Sequence, residues 1–331
     1  MRRLGHGSQD FEHERIEPSL NTETNPFFYA KVLLFGEYGI IKDSMGLSIP
    51  YADFQGCLSM EDTGSEAADS NRSLKRYLGE LRGLETAGEL PCALDLDRFE
   101  RDLEAGLHFD SSIPQGFGVG SSGALVAAVY ARYALEPISK EAHTRDDIIA
   151  LKVLFSKLEG FFHGRSSGID PLICYLGLPL LIESPERLGT VQIPSGETGK
   201  GGIFLISSGQ PGSTQSMVNI FLEKMKHEGF RTMLKEQFVR YNDACIKAFL
   251  QGKPRSLFRN LKVLSALLLD NFSPMIPDRF HELWKEGIES GDYYLKLCGS
   301  GGGGYILGFA RDFEKAKTRL SEYHPELIHR L

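Results

Sequence analysis

Residues 114–124 read Pro-Gln-Gly-Phe-Gly-Val-Gly-Ser-Ser-Gly-Ala, with glycine at every second position from Gly116 to Gly120. An apolar, alanine-rich run follows and predicts a helix from the end of this stretch onward. Glycine adopts positive φ and lets a ligand approach the backbone. The unpaired N–H groups and the positive dipole end of a helix N-terminus attract an anion. If Ser121 or Ser122 caps this helix, the stretch forms a phosphate-binding loop.

Better-known glycine motifs fit this stretch less well. A Walker A loop ends in Gly-Lys-Ser/Thr, and no lysine stands beside Ser122. The spacing of a dinucleotide-binding loop begins at Gly118, but residues 110–114 do not read as the buried strand that must precede such a loop. A nucleophile elbow centred on Ser122 leaves a serine hydrolase as an alternative. A glycine-rich turn before a core helix is the purely structural alternative.

The length and composition predict a globular protein of two domains. The 331 residues are 41% hydrophobic and 24% charged, as is ordinary for globular chains, and their number suffices for two cores. Thirty-seven Lys and Arg against 44 Asp and Glu give a net charge of −7 without a block of like charges. We therefore expect no nucleic-acid partner.

Cysteine usage and hydropathy indicate the compartment. The five cysteines are scattered and form no C-x-x-C pair, which favours a reduced, cytoplasmic setting. No apolar stretch is long enough to span a membrane. Residues 1–25 lack an apolar segment, so we interpret them as a polar N-terminal arm and not as a signal peptide.

A second region of interest is the helix predicted from 146 to 162. Thr144 and Asp147 have the spacing of a capping box, and apolar residues recur at three- and four-residue intervals. Glu159 borders this apolar stripe, where a carboxylate is costly unless it is paired or binds a cation. A boundary glutamate whose charged end reaches solvent is the alternative.

Asp170 follows this helix and stands directly before Pro171. The proline biases Asp170 towards an extended conformation, and an aspartate there is a good N-cap for a helix that begins at Pro171. Capping and catalysis are therefore both open for Asp170.

The boundary between the two domains is predicted at residues 186–202, which are rich in Gly, Pro, Ser and Thr and have no helical period. The first domain then covers 26–195 and the second 200–331. In the second, two predicted strands flank the turn Gly-Ser-Gly-Gly-Gly-Gly at 299–304. Because so many glycines cost backbone entropy on folding, this turn is either a hinge or a place where a ligand meets the backbone.

Three motifs in this order resemble those of the GHMP kinases (galacto-, homoserine, mevalonate and phosphomevalonate kinases), and most of all those of the mevalonate kinases. They are Lys-Val-Leu-Leu-Phe-Gly-Glu-Tyr at 31–38, the loop at 114–124, and Lys-Leu-Cys-Gly-Ser-Gly-Gly-Gly-Gly at 296–304. Between them, Glu159 and Asp170 keep the spacing of the metal glutamate and the catalytic aspartate of mevalonate kinases.

The resemblance implies a fold. It is a mixed α/β fold with an N-terminal ribosomal-protein-like domain, which contains a left-handed βαβ crossover, and a C-terminal ferredoxin-like domain. The active site would lie in the cleft between them.

The resemblance also implies an activity, the ATP-dependent phosphorylation of the primary hydroxyl of (R)-mevalonate in isoprenoid biosynthesis. Asp170 would be the base and Lys31 its partner, and Ser122 and Glu159 would ligate Mg²⁺. The residues expected to bind ATP are Pro114, Gly116, Gly118, Val119, Gly120, Ser121, Ser122, Gly123 and Ala124. A homodimer is expected by analogy alone.

Further residues are expected at the acceptor and at the phosphates. We expect substrate contacts from Glu37, Tyr38, Ser213 and Thr214. Gly299, Gly301, Gly302 and Gly303 would close over the phosphates as the domains shut.

The first motif departs from the mevalonate kinase pattern. Mevalonate kinases usually have Pro-Gly before the lysine and His after the glutamate, whereas this chain has Tyr29-Ala30 and Tyr38. Gly-Glu-Tyr is a feature of phosphomevalonate kinases, so phosphomevalonate is the main alternative acceptor, with Arg165 as a candidate contact for its phosphate. A GHMP-fold regulator without turnover is the non-enzymatic alternative, and the joint presence of Lys31, Glu159 and Asp170 argues against it.

Overall fold

The computed structural model describes residues 26–331 except 43, 62–63, 165, 185 and 197–198. The predicted N-terminal arm, residues 1–25, lies outside the described residues, and so does Arg165. The described residues form two antiparallel β-sheets that are flanked by α-helices.

The first sheet consists of β1 to β5 and belongs to the first half of the chain. Its order is β1-β2-β4-β5, with β3 also paired to β2, and every pairing is antiparallel. The strands are β1 (Phe28–Phe35), β2 (Gly46–Ser59), β3 (His108–Ser111), β4 (Leu180–Ser184) and β5 (Arg187–Thr190). β3 and β4 both lie on the edge of β2 opposite to β1 and both run antiparallel to it, so they point in the same direction. The connection between them is the place for the expected left-handed crossover, whose handedness stays a prediction.

Six helices accompany this sheet, and the central one, α3, carries the glycine loop at its N-terminus. α3 packs against α6, β1 and β2, and its alanine-rich side is almost completely buried. Small side chains let it lie close to its neighbours. The helices are α1 (Ser65–Ala87), α2 (Leu96–Glu104), α3 (Ser121–Tyr133), α4 (Arg145–Leu158), α5 (Gly160–His163) and α6 (Ile169–Leu176).

The second sheet has the order β7-β8-β6-β9, again antiparallel throughout. Its strands are β6 (Gly202–Ser207), β7 (Tyr293–Leu297), β8 (Tyr305–Ala310) and β9 (Glu326–Arg330). The helices are α7 (Thr214–Lys224), α8 (Glu228–Met233), α9 (Val239–Leu250), α10 (Pro254–Phe272), α11 (His281–Ser290) and α12 (Phe313–Arg319). Short 3-10 turns at Gly39–Lys42, Ser273–Met275, Asp278–Phe280 and Ser321–Tyr323 and a π-helical turn at Leu234–Phe238 complete the description.

The predicted fold class is confirmed: the chain is a mixed α/β protein with two sheets. The region predicted to contain the domain boundary, 186–202, includes β5, and only its part between Thr190 and Gly202 forms neither helix nor strand among the described residues. The boundary itself stays a prediction. The serine hydrolase alternative is wrong on architecture, because it requires a doubly wound, mainly parallel sheet, whereas the described strands pair only antiparallel.

Local predictions are confirmed in part. The capping box of Thr144 and Asp147 is present, but the helix predicted to reach residue 162 ends at Leu158, and the short helix α5 follows Glu159. The predicted serine cap of α3 is wrong: Gly120 is the N-cap, with φ +84° and no capping side chain. The predicted cap at Asp170 is also wrong, because Gly168 holds that position.

Two further sequence features have counterparts in the structure. No helix among the described residues is long and apolar enough to cross a membrane. All five cysteines are free thiols.

Two glycines give a test of the packing. A Cβ at Gly308 in β8 would collide with the ring of Phe204, whereas a Cβ at the exposed Gly79 in α1 meets nothing within 4 Å. We expect Gly308→Ala to lower the free energy of unfolding by about 1–3 kcal/mol through overpacking. Gly79→Ala should raise it by about 0.5–1 kcal/mol, since alanine favours the helix. Urea unfolding of both variants checks this, and equal effects of the two would contradict the described packing of the second sheet.

Candidate active site

A cavity of about 880 Å³ contains most of the residues singled out in the sequence. Its walls come from both halves of the chain: the glycine loop, α1, β3 and α6 from the first half, and the turn after β7 from the second. The resemblance implied a site in a cleft, and this cavity is the candidate.

The glycine loop owes its shape to three residues with positive φ. Gly116, Gly118 and Gly120 have φ values of +78°, +80° and +84°, which side-chain-bearing residues rarely adopt. A Cβ at Gly118 would lie 2.6 Å from the carbonyl oxygen of Cys298. The loop is thus in backbone contact with the residue that precedes the second glycine turn. Ser121 and Ser122 follow at the N-terminus of α3 and line the cavity.

An ion pair between Lys31 and Asp170 lies in the wall of this cavity. Lys31 Nζ is 2.9 Å from Asp170 Oδ2, and the side chain of Lys31 is only 5% exposed while that of Asp170 is 39% exposed. Burial lowers the pKa of Lys31, but the charge and hydrogen bond of Asp170 outweigh it, so the pKa lies above its ordinary value. Lys31 is therefore a stable cation, and its partner presents a carboxylate to the cavity.

The backbone explains why Asp170 reaches Lys31. α6 begins after Gly168, whose φ of +73° turns the chain. A Cβ at Gly123 would lie 2.8 Å from the carbonyl carbon of Asp170, so the first turns of α3 and α6 are nearly in contact. The backbone N–H of Lys31 donates to the carbonyl of Val119 at 2.9 Å, which ties β1 to the glycine loop.

Glu159 lies between α4 and α5 and points at the start of α3. Ser122 Oγ donates to Glu159 Oε1 at 2.9 Å, and Ser166 Oγ donates to the other carboxylate oxygen. Glu159 is 3% exposed. Burial, and after it the charge of Asp170, raises its pKa to about 7, although the two hydroxyl donors lower it.

These groups fit a hard cation. The Glu159 carboxylate and the Ser122 hydroxyl supply the oxygen ligands that Mg²⁺ prefers, and a cation would compensate the buried charge of Glu159. The described residues contain no group of three or more His, Cys, Asp or Glu that could hold a metal by itself. Such a cation would therefore take its other ligands from phosphates and water, as Mg²⁺ commonly does.

The turn at 299–304 contributes a further part of the cavity wall. All of its glycines have positive φ, and Gly299, Gly301 and Gly303 line the cavity with Ser300 and Thr214. Gly302 does not line it, since a Cβ there would meet the side chain of Met217.

Several predicted site residues lie outside the cavity wall. Glu37 forms a buried ion pair with Lys296, and burial is the main cause that raises its pKa. Tyr38 is buried beside it, and Ser213 caps α7 by accepting from the backbone N–H of Ser216. The expected ATP contacts that do not line the cavity are Pro114, Val119, Gly123 and Ala124.

The structure adds cavity residues that the sequence reading missed. Ser166 donates a hydrogen bond to Glu159. One face of α1 also lines the cavity, with Glu66, Asp69, Ser70, Ser73 and Arg76. Polar residues at three- and four-residue spacing along a predicted helix were the available signal. They were missed because a solvated helix face has the same pattern.

Comparisons with known proteins agree with the fold class. Residues 89–178, which include the glycine loop and Asp170, match the family model of the GHMP kinases N terminal domain. The mevalonate kinase of Archaeoglobus fulgidus is 24% identical over 295 residues, which are 87% of this chain and 92% of that protein.

Two solved structures extend the likeness to nearly the whole chain. The phosphomevalonate kinase of Streptococcus pneumoniae, in complex with phosphomevalonate and AMPPNP, has a TM-score of 0.62 at 16% identity over 92% of this chain and 98% of that one. The mevalonate kinase of L. major, in complex with R-mevalonate, has a TM-score of 0.59 at 16% identity over 93% and 97%. The resemblance to the GHMP kinases is thereby confirmed, in sequence by the family model over residues 89–178 and in fold over 92–93% of the chain.

The electrostatics of Glu159 give a prediction about stability. At pH values between 4.5, the ordinary pKa of a glutamate, and about 7, the pKa of Glu159 in the folded state, Glu159 holds a proton in the folded state that it has released in the unfolded state. The wild type therefore loses stability as the pH rises through this window. In the presence of a chelator and without nucleotide, we compare the free energies of unfolding of Glu159→Gln and wild type. We expect the difference to shift in favour of Glu159→Gln from pH 5 to pH 8, by up to ~3 kcal/mol.

Urea unfolding at the two pH values measures this difference. Asp102→Asn, which alters a partly buried carboxylate paired with Arg132 away from the cavity, is the matched control. A stability difference for Glu159→Gln that does not change with pH would contradict the raised pKa.

Proposed function

We propose that this chain is an ATP-dependent small-molecule kinase that phosphorylates the primary hydroxyl of (R)-mevalonate. The observation that carries the proposal is the meeting of three features in one cavity: the helix N-terminus with its glycine loop, the Ser122–Glu159 pair and the Lys31–Asp170 ion pair. The comparisons support the class of enzyme, and the acceptor is our inference.

Phosphoryl transfer requires mainly alignment and charge stabilisation from a protein. The backbone N–H groups of the glycine loop and of the α3 N-terminus would hold the triphosphate of ATP. Ser122 and Glu159 would hold Mg²⁺. When bound, the cation neutralises charge on the phosphate oxygens.

Asp170 has the position and charge of a general base. The acceptor oxygen bonds to the γ-phosphorus while the bond from that phosphorus to the ADP oxygen breaks, and the hydroxyl proton passes to Asp170. The adjacent Lys31 ammonium, 2.9 Å from Asp170 Oδ2, holds the Asp170 side chain in place and stabilises charge on the transferred group. The products are ADP and a phosphate monoester.

Among the described residues, which do not include Arg165, the charges that line the cavity favour an acceptor without a phosphate. The described residues that line it include two cations, Lys31 and Arg76, and Lys31 is already paired. A phosphorylated acceptor would add negative charge beside ATP and five carboxylates, which are Glu66, Asp69, Asp110, Glu159 and Asp170. Mevalonate is therefore our first choice. Phosphomevalonate is the second, because of the Gly-Glu-Tyr motif.

The acceptor is identified by coupled ADP release with mevalonate, phosphomevalonate, galactose and homoserine. We expect (R)-mevalonate to give the highest kcat/KM. A clear preference for phosphomevalonate would overturn the acceptor and keep the kinase. Nucleotide binding without turnover on any of the four would favour the non-enzymatic regulator.

The base is tested by Asp170→Asn. We expect kcat to fall by about 10²-fold or more, since an amide does not accept the hydroxyl proton, while calorimetry shows that Mg·ATP still binds. The same Asp102→Asn variant is the control for the loss of a paired carboxylate, and its kcat should stay near that of wild type. If Asp170→Asn keeps its kcat within about threefold of wild type, Asp170 is not the base.

A further inference from the structure

The glycine turn at 299–304 has no conformational preference of its own that would hold it over the cavity. Its glycines have φ values between +71° and +151°, and a chain of this composition loses much entropy when it is fixed. Contacts from outside the turn must therefore set its position.

Hydrogen bonds connect residues of the first half of the chain to both ends of this turn. At its start, the hydroxyl of Tyr38 donates to the carbonyl oxygen of Ser300 at 2.6 Å. Just beyond its end, the backbone N–H of Tyr305 donates to the carbonyl oxygen of Phe117, in the glycine loop, at 3.2 Å. Ser300 lines the cavity, so the bond from Tyr38 acts on a cavity wall from behind.

Tyr38 itself is held in an unusual conformation. Its φ is +56°, which is uncommon for a large side chain and persists only where the surroundings enforce it. Its ring stacks on Phe221 with centroids 4.6 Å apart. The preceding residue, Glu37, forms the buried ion pair with Lys296 of β7, three residues before the turn begins.

We propose that Tyr38 is a positioning residue. Its hydroxyl fixes the 299–304 turn to the segment that follows β1, the strand that carries Lys31, so that the turn is ordered before nucleotide binds. This inference rests on the proposed kinase function and gives Tyr38 a role other than the expected substrate contact. Burial raises the pKa of Tyr38, so its hydroxyl remains a donor at any pH at which the enzyme would be assayed.

Tyr38→Phe removes the hydroxyl and keeps the ring stack. A turn that is no longer fixed must be ordered when ATP binds, so we expect kcat/KM for Mg·ATP to fall about tenfold. Amide hydrogen exchange of the peptide that covers 297–305 should become faster without nucleotide and return to the wild-type rate when AMPPNP is bound.

Tyr293→Phe is the matched control. The hydroxyl of Tyr293 donates to the carbonyl oxygen of Leu283 at 2.9 Å, at the other end of β7 and away from the cavity wall. Tyr293→Phe removes the same kind of hydrogen bond, so the unfolding midpoint of this variant should shift as much as that of Tyr38→Phe. Its kcat/KM and the exchange of 297–305 should stay at wild-type values.

The outcomes separate the two proposals. If the amide hydrogen exchange of 297–305 in Tyr38→Phe equals that of wild type and of Tyr293→Phe, the positioning role of Tyr38 is wrong, whatever the enzyme phosphorylates. If the wild type converts no acceptor, the proposed function fails. Faster exchange in Tyr38→Phe alone would still support the positioning role. Equal loss of kcat/KM in both variants would reduce Tyr38 to a structural residue.

Discussion

The N-terminus of α3 lies next to the Lys31–Asp170 ion pair because the glycines there carry no side chain that would separate them. Gly123 lets α3 approach the backbone of Asp170, and Gly120 lies against the side chain of Lys31, where a Cβ would be 2.9 Å from Cγ. At van der Waals contact, even one methyl group would force the two helices apart. The glycine loop, the Ser122–Glu159 pair and the Lys31–Asp170 pair therefore owe their proximity to these two close contacts.

Buried charge is the second constraint, and it is distributed in a way that suits an anionic ligand with a cation. Lys31 and Asp170 compensate each other, and so do Glu37 and Lys296. Glu159 accepts hydrogen bonds from two hydroxyls, and burial raises its pKa to about 7. A buried carboxylate whose charge is incompletely compensated opposes folding, which is the kind of local cost that functional sites carry.

The two ion pairs also have different positions relative to the cavity. The Lys31–Asp170 pair lies in the wall and exposes its carboxylate. The Glu37–Lys296 pair lies behind the wall, where it joins the end of β1 to β7. The first pair faces the cavity and the second joins the two halves of the chain, although both lysines come from similar apolar strand sequences.

Much of the fold and of the site could be predicted from the sequence because the responsible residues act locally. The capping box at Thr144, the strands around the second glycine turn and the left-handed backbone of the first glycine loop follow from periodicity and backbone freedom. The caps of α3 and α6 were mispredicted for a related reason: a serine or aspartate next to a helix start is a good cap, but a glycine with positive φ was already in that place.

The sequence by itself thus determined the elements, the glycine turns and the residue types that the chemistry needs. Only the tertiary structure decided that Glu37 meets Lys296, because the two are separated by 259 residues and no local pattern encodes their pairing. It also decided that Tyr38 faces a glycine turn and that one polar face of α1 lines the cavity. A local pattern fixes φ, ψ and periodicity, whereas contact between distant segments is set by how the two sheets and their helices pack.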